Sequence, residues 1–134
     1  MIVDEHTLIL DSWKFLLESN PRFQVVAQCG DGQAALREAE KLNPDIVLMD
    51  INLRPENGFS STRKILEKNP EIKIIGISVN NQPTYALRML NAGGRGYLTK
   101  TSPFKEIHHG IEQIYNGRIY ISEEVRRNMP PEYQ

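Results

Sequence analysis

Four consecutive apolar residues, Ile46-Val47-Leu48-Met49, run straight into an acid, Asp50. A strand that is apolar on both faces has to be covered on both, which places it in the middle of a sheet with helices above and below. Around it, short β-branched runs alternate with longer segments of helical period, the pattern of parallel strands joined by crossover helices. The chain is therefore expected to form an α/β doubly wound sheet of five strands and five helices.

Ile2-Val3 reads as a stub of a first strand. Residues 7–19 carry Leu8, Leu10, Trp13, Leu16 and Leu17 at helix-like spacing, and Asn20-Pro21 stops that helix. A second strand is expected at 23–27. Asp31-Gly32 then opens a helix with Ala35, Leu36, Ala39 and Leu42 on one face. Beyond Asp50, a loop with Pro55 and Gly58 leads to a helix through Thr62, Ile65 and Leu66. A fourth strand over 72–77 ends on Ser78, and a helix over 84–90 follows. Ala92-Gly93-Gly94 breaks the chain before a short strand, Gly96-Tyr97-Leu98. Ser102-Pro103 suits the cap and first position of a last helix, with Ile107, Ile111 and Ile114 inward and Gly117 closing it. Residues 1–121 read as one domain, and 122–134 as a frayed helical tail or the start of a linker.

Length and charge narrow the class further. The 134 residues suffice for one core but hardly for two. A formal net charge of −1 leaves no basic excess for gripping DNA phosphates. Cys29 is the only cysteine, so the chain builds neither an internal disulfide nor a Cys-rich zinc site, which fits a reducing cytoplasm. Asp4 and Glu5 follow the first three residues at once, and no stretch approaches a membrane span, so a soluble, unexported protein with no membrane partner is expected.

In an open parallel sheet the loops at the carboxyl ends of the strands converge on one crevice, so polar residues placed just after apolar strands are able to meet. Asp4 and Glu5 follow the first strand, Asp50 the third and Ser78 the fourth, while Lys100 lies just beyond the fifth. Three carboxylates in one pocket repel each other, raising their pKa values or destabilising the fold unless a cation intervenes. Magnesium suits the set: it takes oxygen ligands, is often held by one or two carboxylates, and keeps positions for water and phosphate oxygens. The Lys100 ammonium and the Ser78 hydroxyl can hold the other oxygens of a phosphoryl group on Asp50. No base is needed, since a carboxylate is already ionised at neutral pH and phosphoryl transfer depends on alignment and charge stabilisation. Taken singly, Asp50 reads as a helix cap, Asp4-Glu5 as a solvated pair, Ser78 as a turn residue and Lys100 as a surface lysine. Their shared edge of the sheet is what gives them a joint meaning.

These residues resemble the receiver domains of two-component response regulators over nearly the whole chain. Val3-Asp4-Glu5-His6 is similar to the family's acidic pair, Asp31-Gly32-Gln33-Ala34-Ala35-Leu36 to its second-helix opening, and Pro44-Asp45-Ile46-Val47-Leu48-Met49-Asp50-Ile51-Asn52 to its phosphoacceptor strand. Ser78 lies where the family has its Ser/Thr switch, and Gly96-Tyr97-Leu98-Thr99-Lys100 resembles the segment with the switch aromatic and the lysine. The resemblance implies a flavodoxin-like (βα)5 fold with sheet order 2-1-3-4-5. It also implies phosphorylation of Asp50 by a sensor histidine kinase or phosphotransfer protein, with Mg2+ held by Glu5, Asp50 and the backbone carbonyl of Asn52, Asp4 helping through water. Ser78 and Tyr97 would move together and change the partner preference of the face made by the fourth helix, fifth strand and fifth helix, with homodimerisation one outcome. Such a chain is a phosphoryl acceptor rather than an enzyme, with self-phosphorylation and slow autodephosphorylation at most. The wording around His6 and from Ser102 to Ser122 is most similar to receivers of LuxR-type regulators. In these a helix-turn-helix domain usually follows and controls transcription; DNA contact would belong to that domain. The chain is then either a stand-alone receiver or the receiver part of such a regulator.

Three positions depart from the family pattern. Glu5 replaces the commoner Asp, adding a methylene that must fold back to reach the metal. Leu53-Arg54-Pro55 shifts the proline by one place, so that Arg54 sits near the pocket mouth, either touching the phosphoryl group or, as expected here, solvated. The first strand is several residues short of the family's, as from a trimmed start. His6, His108 and His109 read as surface residues rather than phosphorelay histidines or metal ligands. Among rivals, a haloacid-dehalogenase-like phosphatase wants an acid where Asn52 stands, and a flavodoxin-like cofactor binder wants a Gly/Ser/Thr-rich loop after the first strand. The remaining alternative is a receiver-shaped interaction module that is never phosphorylated.

Overall fold

The computed structural model describes residues 1–133. In chain order the elements are β1 (Ile2–Val3), α1 (Thr7–Glu18), β2 (Gln28–Cys29), α2 (Gly32–Leu42), β3 (Ile46–Asp50), α3 (Gly58–Lys68) and β4 (Lys73–Ser78). They continue with α4 (Pro83–Asn91), β5 (Gly96–Thr99), α5 (Phe104–Tyr115), β6 (Tyr120–Ile121), α6 (Glu123–Arg126) and a 3-10 turn, Pro131–Tyr133.

The strands form one parallel sheet in the order β2-β1-β3-β4-β5-β6. The α/β doubly wound expectation holds, but the described residues contain six strands rather than five. The added strand, β6, lies outside β5, with Gly96 opposite Tyr120 and Tyr97 opposite Ile121. The strand expected over 23–27 is corrected to Gln28–Cys29. Its location follows from the partner: β1 offers only Ile2 and Val3, which pair with Gln28 and Cys29, so Phe23 to Val26 have no ladder to join despite their β-prone composition.

The side chains of β3 alternate between two cores, as strand geometry requires. Val47 and Met49 join Val3, Phe59, Ile65, Met89 and Tyr97 on one face. Leu48 joins Ile2, Trp13, Ile75, Leu98, Ile107 and Ile114 on the other. Covering both faces is what lets residues 46–49 of β3 be wholly apolar, and Asp50 ends the strand at the carboxyl edge of the sheet.

Local chemistry sets the helix starts. Asp31 accepts the Ala34 N–H at 2.8 Å to cap α2, and Asn57 accepts the Ser60 N–H at 2.9 Å to cap α3. Gly58 is needed for a different reason: a Cβ there would collide with the backbone carbonyl of Asp50. That close approach holds the start of α3 against the end of β3. The cap expected at Ser102 is corrected to Pro103, which makes no side-chain capping bond. The Ser102 hydroxyl is instead shared with those of Thr99 at 2.8 Å and Ser122 at 3.0 Å.

The expectation of a frayed tail from residue 122 is also corrected. Val125 and Met129 are buried in the same core as Tyr97 and Met89, and the Ser122 hydroxyl accepts the Thr99 N–H at 2.9 Å. A two-residue strand and a four-residue helix are too short to show a period, and these become ordered through the core they cover.

Candidate functional site

Three strand ends deliver polar side chains to one edge of the sheet. Asp4 follows β1 and is fully buried, Asp50 ends β3 at 3% exposure, and Ser78 ends β4, also buried. Lys100 follows β5 and reaches back between the first two: its Nζ donates to Asp4 Oδ2 at 2.8 Å and lies 3.4 Å from Asp50 Oδ2. One ammonium thus serves two buried carboxylates from the neighbouring strands β1 and β3.

The second oxygen of each carboxylate has its own partner. Asp4 Oδ1 accepts the His6 backbone N–H at 2.9 Å and faces His6 Nδ1 at 3.0 Å. Asp50 Oδ1 accepts the Asn52 backbone N–H at 2.9 Å. The balance differs between the two acids. Burial pushes Asp4 upward, but the Lys100 bond and the His6 N–H outweigh it and hold the carboxyl below the usual carboxylate range. At Asp50 burial dominates; the Asn52 N–H and Lys100 offset only part of it, and neighbouring Asp4 adds to the rise, so its carboxyl lies above the ordinary value. Asp50 is the carboxylate left short of positive charge.

Ser78 is oriented from two sides, its Oγ accepting from Asn52 Nδ2 at 3.2 Å and from the Asn80 backbone N–H at 3.1 Å. Tyr97 is fully buried and its hydroxyl donates to the Asn80 carbonyl at 2.6 Å. Burial, only partly opposed by the nearby Ser78 hydroxyl, pushes the phenol up to about 12. Residues Asn52, Ser78, Asn80 and Tyr97 therefore form one connected set behind Asp50.

Glu5 faces elsewhere. Its Oε1 pairs with Arg54 Nη2 at 3.2 Å, joining the loop after β1 to the loop after β3, and the Arg54 side chain is 81% exposed. The solvated position expected for Arg54 is found, together with an ion pair that the sequence does not announce, since its partners lie 49 residues apart. His6 and His109 are exposed and His108 partly so; His108 packs its ring against Phe23 and Phe104.

The donor set is all oxygen: two buried carboxylates close enough to share one Nζ, with Glu5 next in the chain. Among the described residues, no three His, Cys, Asp or Glu side chains converge as a ready-made metal cage. Two carboxylates with water and phosphate positions left open match the habits of magnesium rather than those of a caged ion, and the undercompensated Asp50 carboxylate fits the same demand.

Residues 1–112 match the response regulator receiver domain family. The chain belongs to that family, and its receiver is of the LuxR type. It is 34% identical over its full length to the transcriptional regulatory protein DegU of Brevibacillus brevis, spanning 57% of that protein. Over 96% of the chain it is 33% identical to the response regulator GacA of Pseudomonas viridiflava, spanning 60% of it. The crystal structure of a LuxR-family two-component response regulator from Aurantimonas sp. SI85-9A1 superposes with a TM-score of 0.92 at 32% identity, over 96% of this chain and 91% of that one. The chain thus spans somewhat over half the length of these two curated relatives. Among the described residues no helix is long and apolar enough to cross a membrane.

Proposed function

We propose that this receiver accepts a phosphoryl group on Asp50 from a sensor histidine kinase or phosphotransfer protein, in the cytoplasm, and relays its state as a two-component switch. The observation that carries the reading is the Lys100 ammonium set between the Asp4 and Asp50 carboxylates at the carboxyl edge of the sheet.

In this reading Asp50 Oδ2 is the nucleophile, its O–P bond forming as the P–N bond of the donor's phosphohistidine breaks and the donor imidazole leaves. The attacking form is the carboxylate, which the Lys100 ammonium 3.4 Å away favours, so no side chain is needed to take a proton from it. The Asn52 N–H holds Oδ1 and so fixes which oxygen faces the donor. Asp4, Glu5, Asp50 and the Asn52 carbonyl would hold Mg2+, which when bound neutralises charge building on the transferred phosphoryl oxygens. Lys100 supplies the positive charge on the remaining side, shifting from the carboxylate to the phosphoryl oxygen as the acyl phosphate forms. Ser78 reads the product with its hydroxyl. A move of Ser78 toward the phosphoryl group disturbs the Asn52 and Asn80 contacts and, through the Asn80 carbonyl, the seat of Tyr97.

Tyr97 lies on β5 opposite Ile121 of β6 and shares its core with Val125. The signal would accordingly leave through the face built by α4, β5 and α5 and the segment 120–129 that borders it. We place a self-association surface there and, in a regulator that carries a DNA-binding domain after residue 134, control of transcription. No catalytic turnover of an external substrate is proposed; Mg-dependent self-phosphorylation and slow loss of the phosphoryl group are the chemistry.

Incubation with Mg2+ and acetyl phosphate tests the assignment. Intact-mass analysis is expected to show addition of one phosphoryl group, lost with Mg2+ chelation and absent from Asp50→Ala. A folded wild-type protein that takes up neither phosphoryl nor beryllofluoride would instead be a receiver-shaped interaction module.

A further inference from the structure

Glu5 and Arg54 leave an unexpected arrangement at the pocket mouth. The acid that the magnesium reading needs is already paired, and its partner is a cation from the loop that follows Asp50. Glu5 is 25% exposed and Arg54 81% exposed, whereas Asp4 and Asp50 beneath them are buried. An exposed ion pair of this kind is weak, because water screens it and two long side chains lose freedom in forming it. Weakness suits a contact that must be displaced. The glutamate also has the length to do both jobs, with one more methylene than an aspartate, outward to Arg54 or inward to an ion beside Asp4.

We propose that Arg54 is an internal competitor for Glu5, holding this carboxylate away from the divalent cation until the cation displaces it. The inference rests on the magnesium pocket of the preceding section. In the structure the three carboxylates are served by two cations, Lys100 at the floor and Arg54 at the mouth. A dication arriving at Asp4 and Asp50 competes for Glu5 with Arg54, whose guanidinium holds Oε1. The freed guanidinium then remains at the mouth as a mobile positive charge. Arg54 is thus a positioning residue that sets the affinity for the cation through Glu5.

Mn2+ serves as the probe, with affinity read by water-proton relaxation or by calorimetry on the whole chain at low salt. Arg54→Ala is expected to tighten Mn2+ binding about three- to fivefold, the range an exposed ion pair can supply. Arg54→Lys, which keeps the charge, is expected to stay within about twofold of wild type. In a Glu5→Gln background, Arg54→Ala should change nothing, because the competition has been removed. Raising the salt to 1 M shrinks the effect, since the Debye length falls to about 3 Å. Equal Mn2+ affinity in wild type and Arg54→Ala overturns the inference while leaving the pocket in place. An Arg54→Ala gain that persists undiminished in the Glu5→Gln background also overturns it, since the arginine would then act by long-range repulsion alone. Binding by neither wild type nor Arg54→Ala removes the pocket reading and the competition together, and binding by Arg54→Ala alone supports both.

Discussion

The floor and the mouth of the pocket hold the same chemistry, a cation against carboxylate, in opposite environments. At the floor Lys100 serves Asp4 and Asp50, both almost out of contact with water. At the mouth Arg54 serves Glu5 with its guanidinium largely solvated. Burial strengthens Coulomb attraction but also makes an unpaired charge costly, whereas exposure reduces both. The floor is therefore a structural commitment with chemical consequences, and the mouth is a contact that can exchange partners.

The largest test of this contrast is Lys100→Ala. Removing the shared ammonium leaves two buried carboxylates facing each other, at a cost of roughly 3–5 kcal/mol in metal-free urea unfolding. Millimolar Mg2+ is expected to restore much of that loss through binding to the folded state. A variant as stable as wild type in EDTA would show that the floor is as well hydrated as the mouth.

Asp50→Asn should act in the opposite direction. Its carboxyl is raised above the ordinary value, so over the interval between the unfolded and folded pKa the native state binds more protons than the unfolded chain, and stability falls as pH rises. Removing the charge is expected to gain about 1 kcal/mol at neutral pH, or roughly 4 °C in Tm. The gain should vanish at acid pH, where Asp50 is protonated in both states, and open as pH climbs through the raised value. Asp4 has the reverse sign: its depressed carboxyl contributes stability above the usual carboxylate range, lost as pH falls through the folded value. A pH-independent gain for Asp50→Asn would mean that packing, not charge, accounts for it.

Arg54→Ala is the smallest perturbation, with metal-free stability expected within roughly 0.5 kcal/mol of wild type. Thermal unfolding in EDTA checks it. A loss comparable with that of Lys100→Ala would erase the difference between floor and mouth.

Much of this architecture was legible from residue order. An apolar run ended by an acid announces a central parallel strand, and β3, β4 and β5 lie within a residue or two of where their composition puts them. The meeting of Asp4, Asp50 and Lys100 could be anticipated because loops at the carboxyl ends of parallel strands share one edge. Elements of two residues were harder. Phe23, Val25 and Val26 have strand chemistry but no neighbour to pair with, while Gln28 is an unpromising strand residue that does have one. Likewise Tyr120 and Ile121 become a strand only because the edge of β5 is open to them.

By itself the sequence determined the class of fold, the strand on which Asp50 sits and the edge at which the charges gather, because side-chain periodicity and strand direction are local properties. Tertiary structure alone decided how those charges were apportioned. Whether a carboxylate faces lysine in the dry floor or arginine in the wet mouth depends on burial and on partners dozens of residues away, and neither is written into any local pattern.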